Sequence, residues 1–262
     1  MKQGRILLFL GVLSIALLSC AGRKDGSRDN IDMRFNRGMV LFEKGKWVRA
    51  ADDFNWVVLN NPAGNLAAEA QYLYAECQYQ QKLYVEAQIE FERLLRRWAS
   101  TEHLIDARYR IVQCLVAQSP GFHYDQKATL EAIDELQAFI DDFPDSPQRT
   151  EAEGLITDLR IKIARKHYES GRLYLKWDRP SPARLYFDVV LSQYYDTAYA
   201  DEARVGIVIS YILEEDLEAA HSYLGQNGAK FANEESRSEA ASYIEMAEQG
   251  KFDLSFYIRL YK

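Results

Sequence analysis

Residues 33–91 read MRFNRGMVLFEKGKWVRAADDFNWVVLNNPAGNLAAEAQYLYAECQYQQKLYVEAQIEF. Two copies of a helix–turn–helix pattern follow one another there, with small and large apolar residues in the same phase. Such a unit cannot bury its apolar face alone, so the pattern predicts a stacked array. In each copy a small residue precedes Ala by twelve positions, and an aromatic residue follows four later: Gly38, Ala50, Phe54, then Ala75, Ala87, Phe91.

The same phase recurs three more times, at the pairs Ala132/Leu136, Ala183/Phe187 and Ala219/Tyr223. Strand-like alternation is nearly absent before residue 250, so the predicted class is all-α. We expect a right-handed α-solenoid over 31–250, built of about five helix pairs and a C-terminal capping helix. The predicted repeats are 31–62, 65–99, 102–144, 149–195 and 197–230, with the cap at 234–248.

The head of the chain has the pattern of a secretion signal. Lys2 and Arg5 precede a thirteen-residue apolar run, which is too short for an ordinary membrane-spanning helix. The run ends in Leu-Leu-Ser before Cys20, which resembles a bacterial lipobox. We therefore predict a signal peptide over 1–19 and a lipid on Cys20; the alternative is an ordinary signal peptide with a chance cysteine.

The segment that follows Cys20 is small, polar and charged, and predicts a flexible tether over 20–30. Ala21, rather than Asp, follows the cysteine. By resemblance to bacterial lipoproteins, this favours the outer membrane, with the folded part on the periplasmic face. The lipid is then the chain's one link to the membrane, since no second apolar run is long enough to span it.

The composition limits the classes of partner and chemistry. The formal net charge is −7 and no basic block occurs, which argues against nucleic acid. The four histidines are scattered, and no metal-binding, phosphate-loop or nucleophile motif is present, so we predict no enzyme, cofactor or metal site. Cys77 and Cys114 hold the same phase of adjacent repeats; two buried thiols are favoured, with a disulfide as the alternative.

The repeated Gly, Ala, Phe and Pro positions resemble tetratricopeptide repeats, whose first helices line a concave surface. By that resemblance, Met and aromatic side chains of the first two repeats predict a groove for extended apolar peptides, with one acid in it. The alternative is that several of them pack between repeats. The candidate residues are Phe35, Met39, Phe42, Tyr72, Glu76 and Tyr79.

A lipobox, a short tether and about five such repeats together resemble the BamD family, also called ComL or YfiO. That resemblance implies an outer-membrane lipoprotein of the β-barrel assembly machinery. Its implied partners are the periplasmic domains of the barrel-forming subunit, other assembly lipoproteins and unfolded outer-membrane protein clients. The implied docking surface lies in the C-terminal repeats, near Arg184 and Tyr186. The alternative function is a periplasmic repeat lipoprotein that coordinates envelope or division proteins.

Two features depart from the pattern of that family. One is a longer loop after Ser119, which predicts either a neutral spacer or a partner contact. The other is the aromatic tail at 251–262, where Phe252, Leu254, Phe256, Ile258 and Leu260 alternate with more polar residues. Period two predicts an extended segment, whereas a stripe at helical spacing predicts a further packed helix.

Overall fold

The computed structural model describes residues 27–259, and it contains no strand within that range. The predicted all-α class is therefore confirmed. The predicted signal peptide and Cys20 lie outside the described residues. The α-helices are α1 (Ser27–Glu43), α2 (Trp47–Asn60), α3 (Ala67–Gln80), α4 (Tyr84–Arg97), α5 (Leu104–Gln118), α6 (Lys127–Asp142), α7 (Arg149–Lys176), α8 (Pro180–Gln193), α9 (Tyr199–Leu213), α10 (Leu217–Asn227), α11 (Glu234–Glu248) and α12 (Leu254–Arg259).

The chain divides into two compact units, an N-terminal unit that ends at residue 86 and a C-terminal unit that begins at residue 87. In the N-terminal unit, α2 packs against both α1 and α3. In the C-terminal unit, α8 packs between α7 and α9, and α11 packs on α9. Within each unit these helices contact their neighbours in sequence, which is the arrangement that a helical repeat requires.

The turns inside the helix pairs share one backbone conformation. A residue with positive φ follows the first helix at Gly45, Lys82, Asp178 and Glu215. At each turn the amide of the next residue donates a hydrogen bond to a carbonyl oxygen in the last turn of that helix. Lys46 N, for example, donates to Leu41 O at 2.8 Å. This motif closes the helix C-terminus and reverses the chain within a few residues. The third pair differs, because its connection is the longer loop after Ser119.

The repeated small residue has a steric reason. A Cβ built on Gly38 would lie 2.8 Å from Phe54 Cε1, and one on Gly171 would lie 2.5 Å from Phe187 Cε1. Both phenylalanine rings are fully buried. The Gly–Phe spacing in the sequence therefore reflects the packing of an aromatic ring directly against a helix backbone.

In the fifth repeat the predicted position of the buried alanine is wrong by one residue. Ala220 is fully buried, whereas the predicted Ala219 is half-buried. In the first repeat the left-handed residue Gly45 precedes the buried Ala50 by five positions, and Glu215 precedes Ala220 by the same interval. The turn fixes where the second helix begins, and therefore which residue of that helix enters the core.

The loop after Ser119 is held against α7 by three cationic side chains. Lys162 Nζ donates to Ser119 Oγ at 2.8 Å, and Lys166 Nζ donates to Tyr124 O at 2.6 Å. The guanidinium of Arg165 lies 4.1 Å from the centre of the Phe122 ring. The insertion therefore packs on the long helix and leaves Tyr124 exposed at its tip.

Both ends of the described chain refine the sequence expectations. α1 begins at Ser27, so the last four residues of the predicted tether are helical. In the tail, residues 254–259 form α12, which is the helical alternative rather than the extended one. Tyr257 of this helix is fully buried.

Candidate interaction surfaces

Two of the three candidate residues on α1, Phe35 and Phe42, contact the buried ring of Phe54. Phe35 lies 5.7 Å from Phe54 between ring centres, and Phe42 lies 6.3 Å from it. Phe42 also makes an edge contact with Trp47 at 5.0 Å. Phe35 is only 8% exposed, whereas Met39 and Phe42 are half-buried. Phe35 is therefore largely a core residue, and the other two keep surface that a ligand can contact.

The three candidate residues on α3 occupy the equivalent positions of the next repeat, 37 residues later. Tyr72 and Tyr79 are half-buried, and the Tyr79 ring makes an edge contact with Tyr84 at 5.5 Å. Glu76 is 5% exposed and accepts a hydrogen bond from Gln80 Nε2 at 2.8 Å. The acid is thus largely covered, and the accessible part of the candidate groove is aromatic and thioether.

A buried carboxylate joins α1 to α2 next to this surface. Asp53 is 1% exposed and binds Arg34 Nη1 at 2.9 Å and Arg37 Nε at 2.6 Å. Burial acts to raise the pKa of Asp53, but the hydrogen bonds from Arg37 and Arg34 outweigh it and lower that pKa below its ordinary value. The sequence analysis did not predict that Asp53 pairs with Arg34 and Arg37. An acidic residue next to Phe54 on an amphipathic helix was a signal that could have indicated it.

In the C-terminal unit, Arg184 is engaged within the protein. Its two terminal nitrogens bind the carboxylate of Glu214 at 2.8 and 2.9 Å, and Nη1 also donates to Ser210 Oγ at 3.1 Å. Its guanidinium lies 4.6 Å from the centre of the Tyr211 ring. Arg184 therefore ties α8 to α9, and a partner that binds it directly must share or break this pairing.

Tyr186 belongs to a row of aromatic rings at the α7–α8 turn. It stacks on Tyr174 at 5.3 Å, and Tyr174 makes an edge contact with Trp177 at 5.7 Å. A hydrogen bond with Tyr174 raises the pKa of the Tyr186 phenol. Trp177 is 59% exposed and Leu185 is 69% exposed. We call Leu173, Tyr174, Trp177, Leu185 and Tyr186 the turn patch.

The turn patch was not singled out from the sequence. A tryptophan directly after a long helix, beside the turn residues Asp178 to Pro182, was the available signal. Helical spacing alone did not separate Trp177 from a core residue. Exposed aromatic residues in a cluster are typical of protein interaction sites, whereas single exposed apolar residues are common on any surface.

The described residues also bear on the chemistry expected of the chain. Within residues 27–259, no group of three or more His, Cys, Asp and Glu side chains is arranged to hold a metal ion. Cys77 and Cys114 are both buried thiols that form no disulfide in this range, as favoured from the sequence. Burial raises the pKa of Cys77 to about 12, so it stays protonated at neutral pH. No helix of the described part combines the length and apolarity needed to cross a bilayer.

Comparison with protein families gives one decisive match. The model of the YfiO family, described as an outer membrane lipoprotein, matches residues 30–225, which begin in the first turn of α1 and end within α10. The chain belongs to the YfiO family. Family membership associates the chain with the outer membrane.

Individual relatives of this family are similar along most of the chain. The outer membrane protein assembly factor BamD of Rickettsia prowazekii is 25% identical over 233 residues, which cover 87% of this chain and 92% of that protein. The protein of the same name from Caulobacter vibrioides is 23% identical over 235 residues, covering 86% and 77%. The resemblance drawn from the lipobox and repeats is thereby confirmed at the level of the family.

Two solved structures were also similar to the chain. A thermophilic tetratricopeptide repeat protein of Thermus thermophilus has a TM-score of 0.35 at 17% identity, covering 81% of this chain and 97% of that one. A tetratricopeptide repeat protein of Parabacteroides merdae has a TM-score of 0.37 at 12% identity, covering 84% and 88%.

Proposed function

We propose that this chain is a lipoprotein subunit that assists the assembly of outer-membrane β-barrel proteins. The observation that carries the proposal is the similarity, over most of both chains, to relatives named outer membrane protein assembly factors. In this role the chain is a scaffold and a peptide-binding module rather than an enzyme. It docks the periplasmic domains of the barrel-forming subunit, contacts other assembly lipoproteins, and holds unfolded client segments.

The lipid on Cys20 supplies the membrane attachment in this proposal, with the folded repeats on the periplasmic face. α1 begins seven residues after Cys20, at Ser27. Such a short connection keeps the N-terminal unit near the membrane surface. An unfolded client that approaches the outer membrane would therefore meet the first repeats early.

The client surface is proposed to be the half-exposed aromatic and thioether residues of α1 and α3. Met39 and Phe42 on α1 recur as an acid and an aromatic residue, Glu76 and Tyr79, on α3. Aromatic and methionine side chains offer large, adaptable contact area without requiring one ligand sequence. That property suits a protein that must accept the apolar segments of many different clients.

Replacing Phe42 and Tyr79 together with glutamate is expected to weaken cross-linking to an unfolded barrel-protein peptide at least about tenfold. The variant would lose two aromatic rings that the bound peptide covers, and it would place two negative charges against an apolar ligand. Photo-cross-linking of a labelled client peptide to the purified full chain measures the effect. Circular dichroism of each variant confirms that helix content is retained.

The matched control is Val48→Glu with Leu59→Glu on α2. These two residues are 62% and 70% exposed, so the control adds the same charge to apolar surface outside the proposed groove. It is expected to cross-link like the unaltered chain. Equal cross-linking by the groove variant and the control would contradict the assignment of the client surface.

The docking surface for the barrel-forming subunit is proposed to be the turn patch. It lies in the C-terminal repeats, where the family resemblance places that partner, and it includes the predicted Tyr186. Arg184 is saturated by Glu214, whereas Trp177 and Leu185 present free apolar area. An exposed tryptophan flanked by other rings has the composition of an interface anchor.

Substituting Trp177 with glutamate is expected to reduce co-purification of the barrel-forming subunit from detergent-solubilised membranes at least about tenfold, because it removes an anchor and adds a charge. Tyr195→Glu is the control, since Tyr195 is 68% exposed on a different loop. A barrel protein that co-purifies equally with both variants would place the docking surface elsewhere. If the unaltered chain retains no barrel protein with periplasmic domains, and its depletion leaves outer-membrane protein levels unchanged, the proposed function itself is wrong.

A further inference from the structure

The end of the chain occupies a site built by α7, α9 and α11. Tyr257 of α12 is fully buried, and its hydroxyl donates to Tyr168 Oη on α7 at 3.2 Å. Tyr168 in turn donates to Glu202 on α9 at 3.3 Å. The Tyr257 ring makes an edge contact with Tyr243 on α11 at 6.3 Å. The Tyr257 side chain is therefore enclosed by α7 and α11, and α9 supports the site through Glu202.

A second element of the same site binds main chain rather than side chain. Arg172 is 7% exposed and donates from Nη2 to the carbonyl oxygen of Ile258 at 3.0 Å. Glu169 holds the same guanidinium at 3.0 Å from Nη1. Any peptide can supply a carbonyl, so Arg172 recognises a backbone in a fixed place, while the pocket at Tyr168 selects a phenol.

The site also has a second aromatic contact and a definite charge. Phe252 makes an edge contact with Tyr243 at 5.8 Å, five residues before Tyr257. Carboxylates line the surroundings, since Tyr243 donates to Glu239 at 2.7 Å and Glu202 accepts from Tyr168. The groove thus fits a neutral or basic segment with an aromatic residue five positions before a tyrosine, and it disfavours an acidic one.

The tail has the properties of a bound ligand rather than of a repeat helix. α12 has six residues, which is too short to be helical in water without the groove. It follows Gly250, whose φ of +65° ends α11, and it lies near the chain terminus. Its sequence alternates with period two, which suits an extended strand better than the helix it forms. The groove therefore imposes the helical conformation of α12.

We propose that this groove is a peptide-recognition site and that the tail is its ligand in cis, displaced by a segment of a partner protein with the same aromatic–x4–tyrosine chemistry. The tail keeps the site filled when no partner is bound, because a tethered ligand competes at high effective concentration. The site shares no residue with the client surface on α1 and α3 or with the turn patch. It stands independently of the function proposed for those surfaces.

Hydrogen exchange of the unaltered full chain is the first test. If the tail leaves the groove by a local opening, amides of α12 should exchange at least about a hundredfold faster, relative to their intrinsic rates, than those of α9. Mass spectrometry of peptic fragments measures both helices in one sample. Exchange of α12 in step with α9 would show that the tail is an integral part of the fold and would overturn the proposal.

Binding in trans is the second test, with a fluorescein-labelled peptide of residues 250–262 as the probe. The Tyr257→Ala chain, whose own tail has lost its anchor, is expected to bind the peptide at least about tenfold more tightly than the unaltered chain by fluorescence anisotropy. Ser255→Ala is the control, because the Ser255 hydroxyl donates to Asp253 Oδ2 at 2.6 Å, a contact within the tail itself. That variant should bind as weakly as the unaltered chain.

Two further arms separate recognition from non-specific attachment. A peptide with alanine in place of Tyr257 should not bind the vacated site, and Tyr168→Phe in the Tyr257→Ala chain should weaken binding by removing the hydroxyl partner. Failure of the Tyr257→Ala chain to bind the peptide while keeping its helical circular dichroism would overturn the proposal. Dimers of the unaltered chain in sedimentation velocity would assign the groove to a second copy and overturn the partner assignment.

Discussion

Gly206→Ala is expected to lower the free energy of unfolding of the C-terminal repeats by about 2 kcal/mol. A Cβ on this residue would lie 2.5 Å from Phe187 Cζ. The ring cannot move away, because Gly171 on α7 approaches its other side equally closely and the side chain is fully buried. Alanine is the better helix former by about 1 kcal/mol, so the overpacking must exceed that gain for the net effect to be destabilising.

Urea unfolding followed by circular dichroism measures this effect, and Gly154→Ala is the matched control. Gly154 lies inside α7, and a Cβ there would meet no atom within 4 Å. The control is therefore expected to stabilise the chain by about 0.5–1 kcal/mol through helix propensity alone. A stabilising effect of both substitutions would show that the Phe187 ring has room to shift, contrary to the packing described.

Asp201→Ala is expected to lower the free energy of unfolding by about 3 kcal/mol. Asp201 and Arg204 are 7% and 9% exposed and pair at 2.7 Å. The same carboxylate accepts from the backbone amides of Ala232 at 3.2 Å and Asn233 at 2.8 Å, immediately before α11. Alanine would leave the guanidinium without this buried partner and would free the segment that leads into the capping helix.

Hydrogen exchange distinguishes this loss from general destabilisation, because α11 should lose protection before α7 does. Glu153→Ala is the control: Glu153 pairs with Arg149 at 2.9 Å, but both side chains are about half exposed. Exposed pairs of this kind contribute less than about 1 kcal/mol. If the two substitutions destabilised the chain equally, the Asp201–Arg204 pair would contribute no more to stability than an exposed ion pair, contrary to this prediction.

Much of the fold was predictable because its determinants are local. The Gly, Ala and Phe positions reflect contacts between helices that are neighbours in sequence. The error in the fifth repeat has a local origin as well. Ala219 and Ala220 are adjacent in the sequence, and only the left-handed residue at Glu215 decides which of the two enters the core.

The interaction surfaces were less predictable, because exposure is a property of the packed structure. Phe35 and Phe42 share one helical stripe, yet Phe35 is buried against Phe54 while Phe42 keeps open surface. Arg184 has the residue type of a partner contact, but Glu214, 30 residues away, takes up its guanidinium. Trp177 has the residue type of a core position, but it lies exposed at a turn.

By itself, the sequence determined the all-α class, the succession of helix pairs and the resemblance that the family match confirmed. Each of these rests on spacing within one helix pair or on a contiguous motif, which the order of residues contains directly. Only the tertiary structure decided that the Asp53 and Asp201 carboxylates are buried with arginine partners, and that Tyr257 is enclosed by α7 and α11. Tyr257 and Tyr168 are 89 residues apart, and contacts at such distances form only when the repeats stack.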